Sequence, residues 1–367
     1  MRRESISDIP FVAISAALIV GGLFFISSAS VALSAKRFGN IYYYSLRQLL
    51  AILIGLALFL VVQRIPLKFW KRFAVALFSG AVVLLGLVLL PQLGLTFGGA
   101  QRWLDLGFFS FQPSELAKLA MVIFLAWWFG RVGENGIRTF RLGFLPFFLA
   151  VGLVGGLIFA EPDLGTFFII AGSSVILYFV AGGRWRYLLL FLALGLISFT
   201  AMVYLKPYVG DRLHTFIDPT RDPLGAGFQV RQAAIAIGSG GFWGLGYGSS
   251  QQKESFLPEP IGDSIFAVIA EEFGYFGVIL LVTAYLIFLW RGIAIAKRAP
   301  DLFAKLTTTG IIGTIVLQAF INMGSISGLL PLTGIPLPFI SYGGTSLAVN
   351  FIGLGIVYRI SKTRTNL

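Results

Sequence analysis

The sequence predicts an all-α polytopic membrane protein with about ten transmembrane helices and one large extracytoplasmic loop between helices 7 and 8. Three observations lead to this fold class. First, 57% of the 367 residues are hydrophobic, only 12% are charged, and the mean hydropathy is +0.87. Because a soluble domain carries about 25% charged residues, this composition excludes an ordinary soluble protein.

Second, ten apolar runs are long enough, or nearly so, to cross a hydrocarbon core of about 30 Å. They lie at 11–33, 46–62, 73–90, 114–129, 143–159, 164–181, 187–204, 264–290, 306–328 and 340–358. Together they form a single transmembrane domain that covers 1–367. The interval 205–262 is its large loop, which is too long for a mere connection and is expected to be functional or partly structured.

Third, Lys and Arg residues are unequally distributed between the two sides of the predicted membrane. With the N-terminus inside, the cytoplasmic links hold 18 of the 28 basic residues and the short outer links hold four. Because basic residues concentrate in cytoplasmic loops, both termini are predicted to be cytoplasmic. The net charge of +12 then reflects orientation and attraction to anionic lipid rather than nucleic-acid binding, since no basic cluster alternates with exposed aromatic residues.

The residue types available limit the kinds of site. The chain has no Cys and a single His, His214, which excludes thiolate metal sites and disulfides and disfavours an imidazole zinc site. The glycine-rich run 238–250 lacks the strand and the helix start of a phosphate-binding loop, so it is interpreted as a flexible or close-packed loop. A short amphipathic helix is predicted just before it, at 225–238.

Uncommon polar groups collect at the predicted outer ends of the helices. Arg102, Glu115 and Lys118 lie in QRWLDLGFFSFQPSELAKLA, and the acids of EPDLGT lie between the fifth and sixth spans. Glu259 and Asp263 lie in LPEPIGD, just before the eighth span. Because ionisable groups near membrane depth are costly, they indicate a functional site by default. A catalytic or binding surface is therefore expected to face outward, away from cytosolic ATP.

Several of these residues allow a purely structural interpretation. Glu115 and Lys118, three residues apart, share a helix face and can pair, either only to neutralise each other or to hold a phosphate oxygen. Asp163 is interpreted as a helix N-cap. Asp263 also begins a helix, so capping and catalysis both stay open for it.

Two further segments of the outer half are interpreted structurally. Glu271 and Glu272 lie inside the eighth span and are interpreted as interhelical hydrogen-bonding groups or as the lining of a water-filled cavity. The segment 331–346, with Pro331, Pro336 and Pro338, cannot be regular helix and is predicted to be a broken or re-entrant piece.

These motifs, in this order and spacing, resemble the SEDS proteins of bacterial cell-wall synthesis. The resemblance rests on GGAQRWLDLGFFSFQPSELAKLA, EPDLGT, LPEPIGDSIFAVIAEEFG and LPLTGIPLPFISYGGTS, and it extends over nearly the whole chain. The segments LTGIPLPFISYGGTS and EEFGYFG are more similar to the division members of the family than to the elongation members.

The resemblance implies a peptidoglycan glycosyltransferase that polymerises lipid II, a disaccharide-pentapeptide on undecaprenyl diphosphate, at the outer face of the cytoplasmic membrane. It also implies a class B penicillin-binding protein as partner, together with other divisome or elongasome membrane proteins. The essential aspartate of the family corresponds to Asp263, its buried Glu–Lys pair to Glu115 and Lys118, and the acid of its LPE motif to Glu259.

The implied reaction joins an acceptor 4-hydroxyl to an α-linked diphosphate sugar with a β product, which is an inverting displacement. Such a step needs a base for the hydroxyl and neutralisation of the departing diphosphate. Asp263 is the expected general base, and Lys118 and Arg102 are candidates for holding the diphosphate. A divalent cation, Mg²⁺ or Mn²⁺, shared by carboxylates is a candidate cofactor.

Two departures from the family pattern concern the substrate contacts. Ile261 and Gly262 stand where many members have His-Thr, and Thr333 stands where some have Lys. They leave the individual contacts open and do not alter the reaction class.

Two other functions stay open at the level of the sequence. A lipid II flippase or another secondary carrier also uses intramembrane acids and helices broken by Pro and Gly. A carrier needs polar groups near the midplane, and Glu271 and Glu272 are the main residues of that kind. A non-catalytic scaffold for division partners would leave Asp263 without a role.

Overall fold

The computed structural model describes residues 8–97, 100–105, 107, 110–205, 207–218, 222 and 225–363. Helices dominate it. They are α1 (Ile9–Ala29), α2 (Val31–Phe38), α3 (Tyr43–Val62), α4 (Leu67–Val88), α5 (Pro113–Ile137), α6 (Leu145–Ala160), α7 (Leu164–Val180), α8 (Trp185–Leu205), α9 (Pro207–Ile217), α10 (Ala226–Ser239), α11 (Gln252–Ser255), α12 (Ile265–Lys297), α13 (Leu302–Ile326) and α14 (Gly344–Ser361).

A helix lies at each of the ten predicted spans. In the described part of the chain, eight helices are long and apolar enough to cross a membrane by length and composition: α1, α3, α4, α5, α6 with the π-helical turn that precedes it, α8, α12 and α13. Of the other two, α7 is apolar but has 17 residues, and α14 has 18 residues and carries Asn350 and Arg359. The prediction of an all-α, multi-pass membrane protein is confirmed.

The helices differ in how they are buried, and this difference locates the centre of the molecule. The most apolar 18-residue window of α13 is 67% buried, whereas α8 has no buried residue. Helix α13 packs against α5, α7, α12 and α14. A helix that is apolar yet exposed faces lipid in a membrane protein. We therefore regard α13 as the central helix, around which the other elements are arranged.

A small sheet between α4 and α5 was not expected from the sequence. Strands β1 (Gly94–Phe97), β2 (Ala100–Asp105) and β3 (Ser110–Phe111) pair antiparallel in the order β1-β2-β3. Residue pairs such as Leu95↔Trp103 and Leu104↔Phe111 fix the register. The adjacent glycines that separate β1 from β2 in the sequence are typical of hairpins and were the available signal. The sheet places Arg102 on a strand rather than on a flexible link.

Three helices, α9, α10 and α11, lie in the described residues of the large loop. Helix α10 confirms the predicted amphipathic helix, with Ala233 and Ala236 buried. It packs mainly against α12 and also touches α9 and α13. The loop is therefore folded onto the membrane-spanning helices.

The proline-bearing segment before α14 is irregular, as predicted. No helix or strand occurs from 328 to 343, and α14 begins at Gly344 rather than at 340. Polar side chains of α13 hold this segment, which we call the proline segment (328–343). Gln318 donates to the Pro336 carbonyl at 2.8 Å, and Asn322 donates to the Ile335 carbonyl at 2.8 Å. These donors lie on the central helix, and the stretch 335–341 of the segment is mostly buried in protein, as irregular backbone at membrane depth requires.

Candidate functional site

Asp263 lies directly before α12, where the large loop joins the membrane-spanning helices. Its two carboxylate oxygens each accept a hydrogen bond from Gln229 Nε2 at 3.2 Å, and the Ser264 hydroxyl donates to Oδ1 at 3.4 Å. The residue at the N-cap position of α12 is Ser264. The capping interpretation of Asp263 is therefore wrong, because its carboxylate is held by a side chain of α10 rather than by the first amides of α12.

The backbone around Asp263 is fixed from two directions. Asn322 of α13 donates to the Asp263 carbonyl at 2.8 Å through the same amide nitrogen that holds Ile335. On the other side, the Ser341 hydroxyl donates to the Gly262 carbonyl at 2.7 Å, and the Tyr342 amide donates to the Ile261 carbonyl at 2.8 Å. The central helix and the proline segment thus hold the carboxylate in one position, which is the kind of support that a reacting group needs.

Burial raises the pKa of the Asp263 carboxyl to about 6. The hydrogen bonds from Gln229 and Ser264 oppose this rise, because they favour the charged form, and the nearby Glu259 carboxylate adds to it. The Asp263 side chain is half-buried. A carboxyl group with a pKa near 6 is ionised at neutral pH and is more basic than an ordinary aspartate, so it suits general base catalysis.

Glu259 lies beside Asp263 in a strained backbone conformation. Its φ is +47°, in the left-handed region that residues with a side chain rarely adopt. Its carbonyl accepts hydrogen bonds from the amides of Gly262 at 3.0 Å and Ser264 at 3.3 Å. The LPEP approach therefore folds tightly onto the start of α12, and Glu259 itself stays exposed.

Arg212 was not singled out from the sequence, and it borders the same space as Asp263. Its Nη1 donates to the carbonyls of Leu332 at 3.0 Å and Thr333 at 3.3 Å. A Cβ on Gly334 would lie 3.9 Å from Arg212 Nη2 and 3.9 Å from Asp263 Oδ2. Gly334 has a φ of +68°, so the backbone requires glycine here, and the missing side chain leaves room between the two charged groups.

The buried Glu115–Lys118 pair contacts α13 about one helical turn away from Asn322. The Lys118 ammonium donates to Glu115 at 2.8 Å and to Gln318 at 2.6 Å, and both charged residues are buried. Gln318 in turn holds Pro336. Because Gln318 and Asn322 are four residues apart, the pair lies about 6 Å along α13 from the amide that holds Asp263.

A small cavity of about 30 Å³ adjoins this pair, and Thr314 and Asn350 also line it. The predicted contact between Glu115 and Lys118 is confirmed. Their substrate role stays a prediction.

Arg102 contacts a different part of the same end of the molecule. Its Nε donates to the Glu161 carbonyl at 3.1 Å, and its Nη2 donates to the Pro162 carbonyl. Burial raises the pKa of the Glu161 carboxyl to about 8, with Asp163 adding to the rise and Arg102 opposing it. The hydrogen bonds described for Arg102 thus fasten the EPDLGT turn, and its predicted contact with substrate stays a prediction.

Asp163 has the predicted structural role. It accepts from the Thr166 amide at 3.1 Å and from the Thr166 hydroxyl at 2.9 Å. It is the N-cap of α7, so the capping interpretation is confirmed. Two residues later, Gly165 lies against Thr333 and Ile335 of the proline segment. The EPDLGT turn and the proline segment are therefore in contact, and the polar motifs collect at one end of the molecule.

Glu271 and Glu272 hold the large loop rather than line a free path. Lys253 Nζ lies 2.5 Å from Glu272 Oε1, and Ser28 of α1 donates to both oxygens of the same carboxylate, at 2.6 and 2.8 Å. Ser250 donates to Glu271 at 2.5 Å. We call these five residues the loop clamp. The interpretation of the two acids as hydrogen-bonding groups between elements is confirmed.

The glycine-rich run is close-packed because it replaces hydrogen bonds that α12 cannot make. Helix α12 is interrupted at Gly274, where φ is +62°. Across this break, the Leu245 and Gly246 amides donate to the carbonyls of Glu271 and Glu272, both at 3.0 Å. A Cβ on Gly244 would lie 2.1 Å from the Glu272 carbonyl oxygen. Only glycine allows this approach.

The described residues contain no group of three or more His, Asp or Glu that could hold a metal ion. At Asp263, Glu259 is the neighbouring acid. Two carboxylates can share a cation only if substrate oxygens complete its coordination, as in sites where Mg²⁺ is held jointly with phosphates. The cation stays a prediction.

Sequence comparison identifies the relatives of this chain. The model of the cell cycle protein family that comprises FtsW, RodA and SpoVE matches residues 9–366. Stage V sporulation protein E of Bacillus subtilis is 38% identical, with 98% of each chain covered. A probable peptidoglycan glycosyltransferase FtsW of Coxiella burnetii is 39% identical over 95% of this chain and 94% of that protein.

Solved structures give the same result. A chain of a peptidoglycan synthase complex that coordinates polymerization and crosslinking superposes with a TM-score of 0.82, at 34% identity and with 99% of each chain covered. The rod shape determining protein RodA of Thermus thermophilus superposes with a TM-score of 0.72, at 28% identity and with 98% of each chain covered. This chain belongs to the FtsW, RodA and SpoVE family, the SEDS proteins.

Proposed function

We propose that the protein is a peptidoglycan glycosyltransferase that polymerises lipid II, with Asp263 as the general base. The observation that supports this most is the state of the Asp263 carboxylate. It is half-buried, bound by the neutral donors Gln229 and Ser264, and held on a fixed backbone, and burial raises its pKa to about 6. These are the properties of a group that accepts a proton at neutral pH.

In the proposed step, the 4-hydroxyl oxygen of the acceptor sugar bonds to the anomeric carbon of the donor. The bond from that carbon to the diphosphate oxygen breaks, and the hydroxyl proton passes to Asp263. The polyprenyl diphosphate leaves with the bonding electron pair, so it needs positive charge or hydrogen-bond donors at the moment of departure. Because attack and departure occur on opposite faces, the configuration inverts from α to β.

A lipid-linked substrate is consistent with a groove that reaches the membrane-facing surface. The groove has a volume of about 460 Å³ and runs between α10, α12 and α13. Its walls are mainly apolar and include Phe266, Val278, Val282, Phe320 and Met323. Such walls suit polyprenyl chains, which gain by leaving water and by contact with other apolar groups. This groove supports a site at the membrane edge.

The substrate contacts of the other predicted residues remain part of the proposal. Lys118 and Glu115 line a small cavity between α5, α13 and α14, and their proposed role is to bind the polar part of a substrate. Glu259 is exposed next to the base and can accept sugar hydroxyl groups. Arg102, on β2 beside the EPDLGT turn, is proposed to help hold the diphosphate. A Lys118→Ala variant with unchanged donor affinity would reject the phosphate role of Lys118.

The membrane orientation and the partner are also proposed. The distribution of basic residues supports an orientation with both termini in the cytoplasm and the site at the outer leaflet of the cytoplasmic membrane. A class B penicillin-binding protein is the proposed partner, and the similarity to a chain of a polymerising and crosslinking complex supports it. Accessibility labelling of a Cys introduced into the native Cys-free chain at Glu254 or at Lys362 tests the orientation, since only Glu254 should react from outside.

The test of the function uses proteoliposomes that contain the protein, its penicillin-binding partner and lipid II. Wild-type protein should produce glycan strands, and Asp263→Ala should produce none, because a general base contributes about 100-fold to 10,000-fold to the rate. Glu254→Ala, an exposed acid of the same loop, is the matched control and should polymerise normally. Near-normal polymer from Asp263→Ala would reject the base assignment.

The same proteoliposomes separate the alternatives. A flippase would move lipid II between leaflets without forming polymer, and a scaffold would do neither. The acids that favoured a carrier, Glu271 and Glu272, are engaged by the loop clamp. Chelation of divalent cations, followed by restoration of activity with Mg²⁺ or Mn²⁺, tests the proposed cofactor.

A further inference from the structure

We propose that Arg212 binds the diphosphate of the donor substrate and stabilises it as it leaves. The proposal rests on the proposed glycosyltransferase function and adds a residue that the sequence motifs did not indicate. Its basis is the position of the Arg212 guanidinium on α9, beside the same glycine gap that the Asp263 carboxylate borders.

The guanidinium is placed by the protein backbone. Its Nη1 donates to two consecutive carbonyls of the proline segment, those of Leu332 and Thr333. These bonds fix the plane of the group and direct Nη2 towards Gly334. Because a guanidinium carries five donors in a rigid fork, one edge can be anchored to carbonyls while another edge meets phosphate oxygens.

The neighbouring space suits a diphosphate that carries a polyprenyl chain. Arg212 also lines a cavity of about 70 Å³, whose other walls include Phe216, Ala226, Val230 and Leu332. The guanidinium thus borders both a mainly apolar cavity and the gap beside the Asp263 carboxylate. A polyprenyl diphosphate attached to a sugar has the same order of parts: an apolar chain, an anionic bridge and the reacting carbon.

Proximity to the base decides which of the two diphosphates Arg212 would meet. Both substrates of the reaction carry one, but the acceptor reacts through the 4-hydroxyl of its outer sugar, which is remote from its own diphosphate. The donor reacts at the carbon that bears its diphosphate. A cation that borders the same gap as Asp263 is therefore in position for the bond that breaks.

The other cations named at the polar end are engaged differently. Lys118 is buried and donates to Glu115 and Gln318, and Arg102 donates to the carbonyls of the EPDLGT turn. Arg212 is half-buried. Of these three cations, it is the one that borders the gap beside Asp263.

The test compares Arg212→Met with Arg231→Met, an exposed arginine of the same loop, in the complex with the penicillin-binding partner. Undecaprenyl diphosphate serves as a competing product, with undecaprenol and inorganic diphosphate as separate arms. We expect Arg212→Met to weaken inhibition by undecaprenyl diphosphate by roughly 10- to 100-fold, as loss of a charge-assisted hydrogen bond does. Arg212→Lys should lose less, and Arg231→Met should match wild type.

The arms distinguish the failure of this proposal from the failure of the proposed function. Unchanged undecaprenyl diphosphate inhibition in Arg212→Met would overturn the role of Arg212, even if Asp263 is the base. An equal loss of undecaprenol binding would also overturn it, since it would show that the variant disturbs the lipid cavity rather than the anion contact. Asp263→Asn should still bind undecaprenyl diphosphate in a direct binding measurement while losing polymerisation, so polymer from that variant would count against the base alone. Thermal unfolding confirms that each variant is folded.

Discussion

Asp263 and Glu272 are acids nine residues apart in one chain segment, and they differ in burial and in the partners of their carboxylates. Glu272 is almost fully buried, and its charge is matched by Lys253 and by the Ser28 hydroxyl. Asp263 is half-buried, and its described hydrogen-bond donors are the neutral side chains of Gln229 and Ser264. One carboxylate has its charge compensated by the fold, whereas the other is kept at a raised pKa.

This difference separates structural acids from chemical ones in a membrane protein. A buried charge with a matched counter-ion serves to join elements. A carboxylate with neutral donors and an open side can exchange a proton with a substrate. The loop clamp and the base therefore lie in the same segment of the chain. The clamp fastens both ends of the segment 253–272, and Asp263 lies between them.

The largest effect on stability is expected from breaking the clamp at one partner. Lys253→Met leaves the Glu272 carboxylate buried without its cation, which should cost about 3–5 kcal/mol of unfolding free energy. Thermal unfolding of the purified complex should show a clear loss. The double variant Lys253→Met with Glu272→Met removes both charges and should recover most of it.

The matched control for the clamp is an exposed ion pair of the same length. Lys71 and Asp301 also lie 2.5 Å apart, but their side chains are 40% and 44% exposed, against 5% and 1% for Lys253 and Glu272. Lys71→Met should cost less than about 1 kcal/mol. Equal losses at the two lysines, or a double variant as unstable as Lys253→Met, would contradict the structural role of the clamp.

A smaller effect, on pH dependence alone, is expected at Gln229. Its hydrogen bonds favour the ionised form of Asp263, so Gln229→Leu should raise the pKa of that carboxyl further above about 6. Polymerisation should then fall at pH 6 and change little at pH 8, because the base is needed in its deprotonated form. Gln232→Leu on the same helix is the control. A uniform loss at all pH values would show that Gln229 positions α10 without tuning the base.

Sequence patterns were sufficient to predict the structural features that depend on the periodicity and composition of the chain. Apolar runs located ten helices, of which eight are long and apolar enough to cross a membrane in the described part of the chain. The amphipathic pattern of 225–238 predicted a helix within the loop. Local contacts were also predicted correctly, since Asp163 caps α7 and Glu115 contacts Lys118 as their spacing suggests. The small sheet was missed, because its short strands carry a weak pattern beside the signal of the flanking spans.

Long-range contacts could not be read from the sequence. Gln229, Arg212 and Asn322 lie far from Asp263 in the chain or on other elements, and no local spacing joins them. The same holds for Lys253 of the large loop and Ser28 of α1, which contact Glu272 from elements that no local spacing joins to it. Capping was the wrong interpretation of Asp263 for this reason, since the partner of its carboxylate comes from α10.

The pH dependence of lipid II polymerisation tests the role of Asp263 most directly. The group is faced by Glu259 from the LPEP approach, by Gln229 from α10 and by Arg212 from α9. For the wild-type complex, kcat/KM should rise about tenfold per pH unit below pH 6 and level off above it, because the base must lose its proton. Asp263→Asn should be folded, with a low and flat profile. A wild-type profile that is flat from pH 5 to pH 8, or an Asn variant with the wild-type profile, would contradict Asp263 as the base.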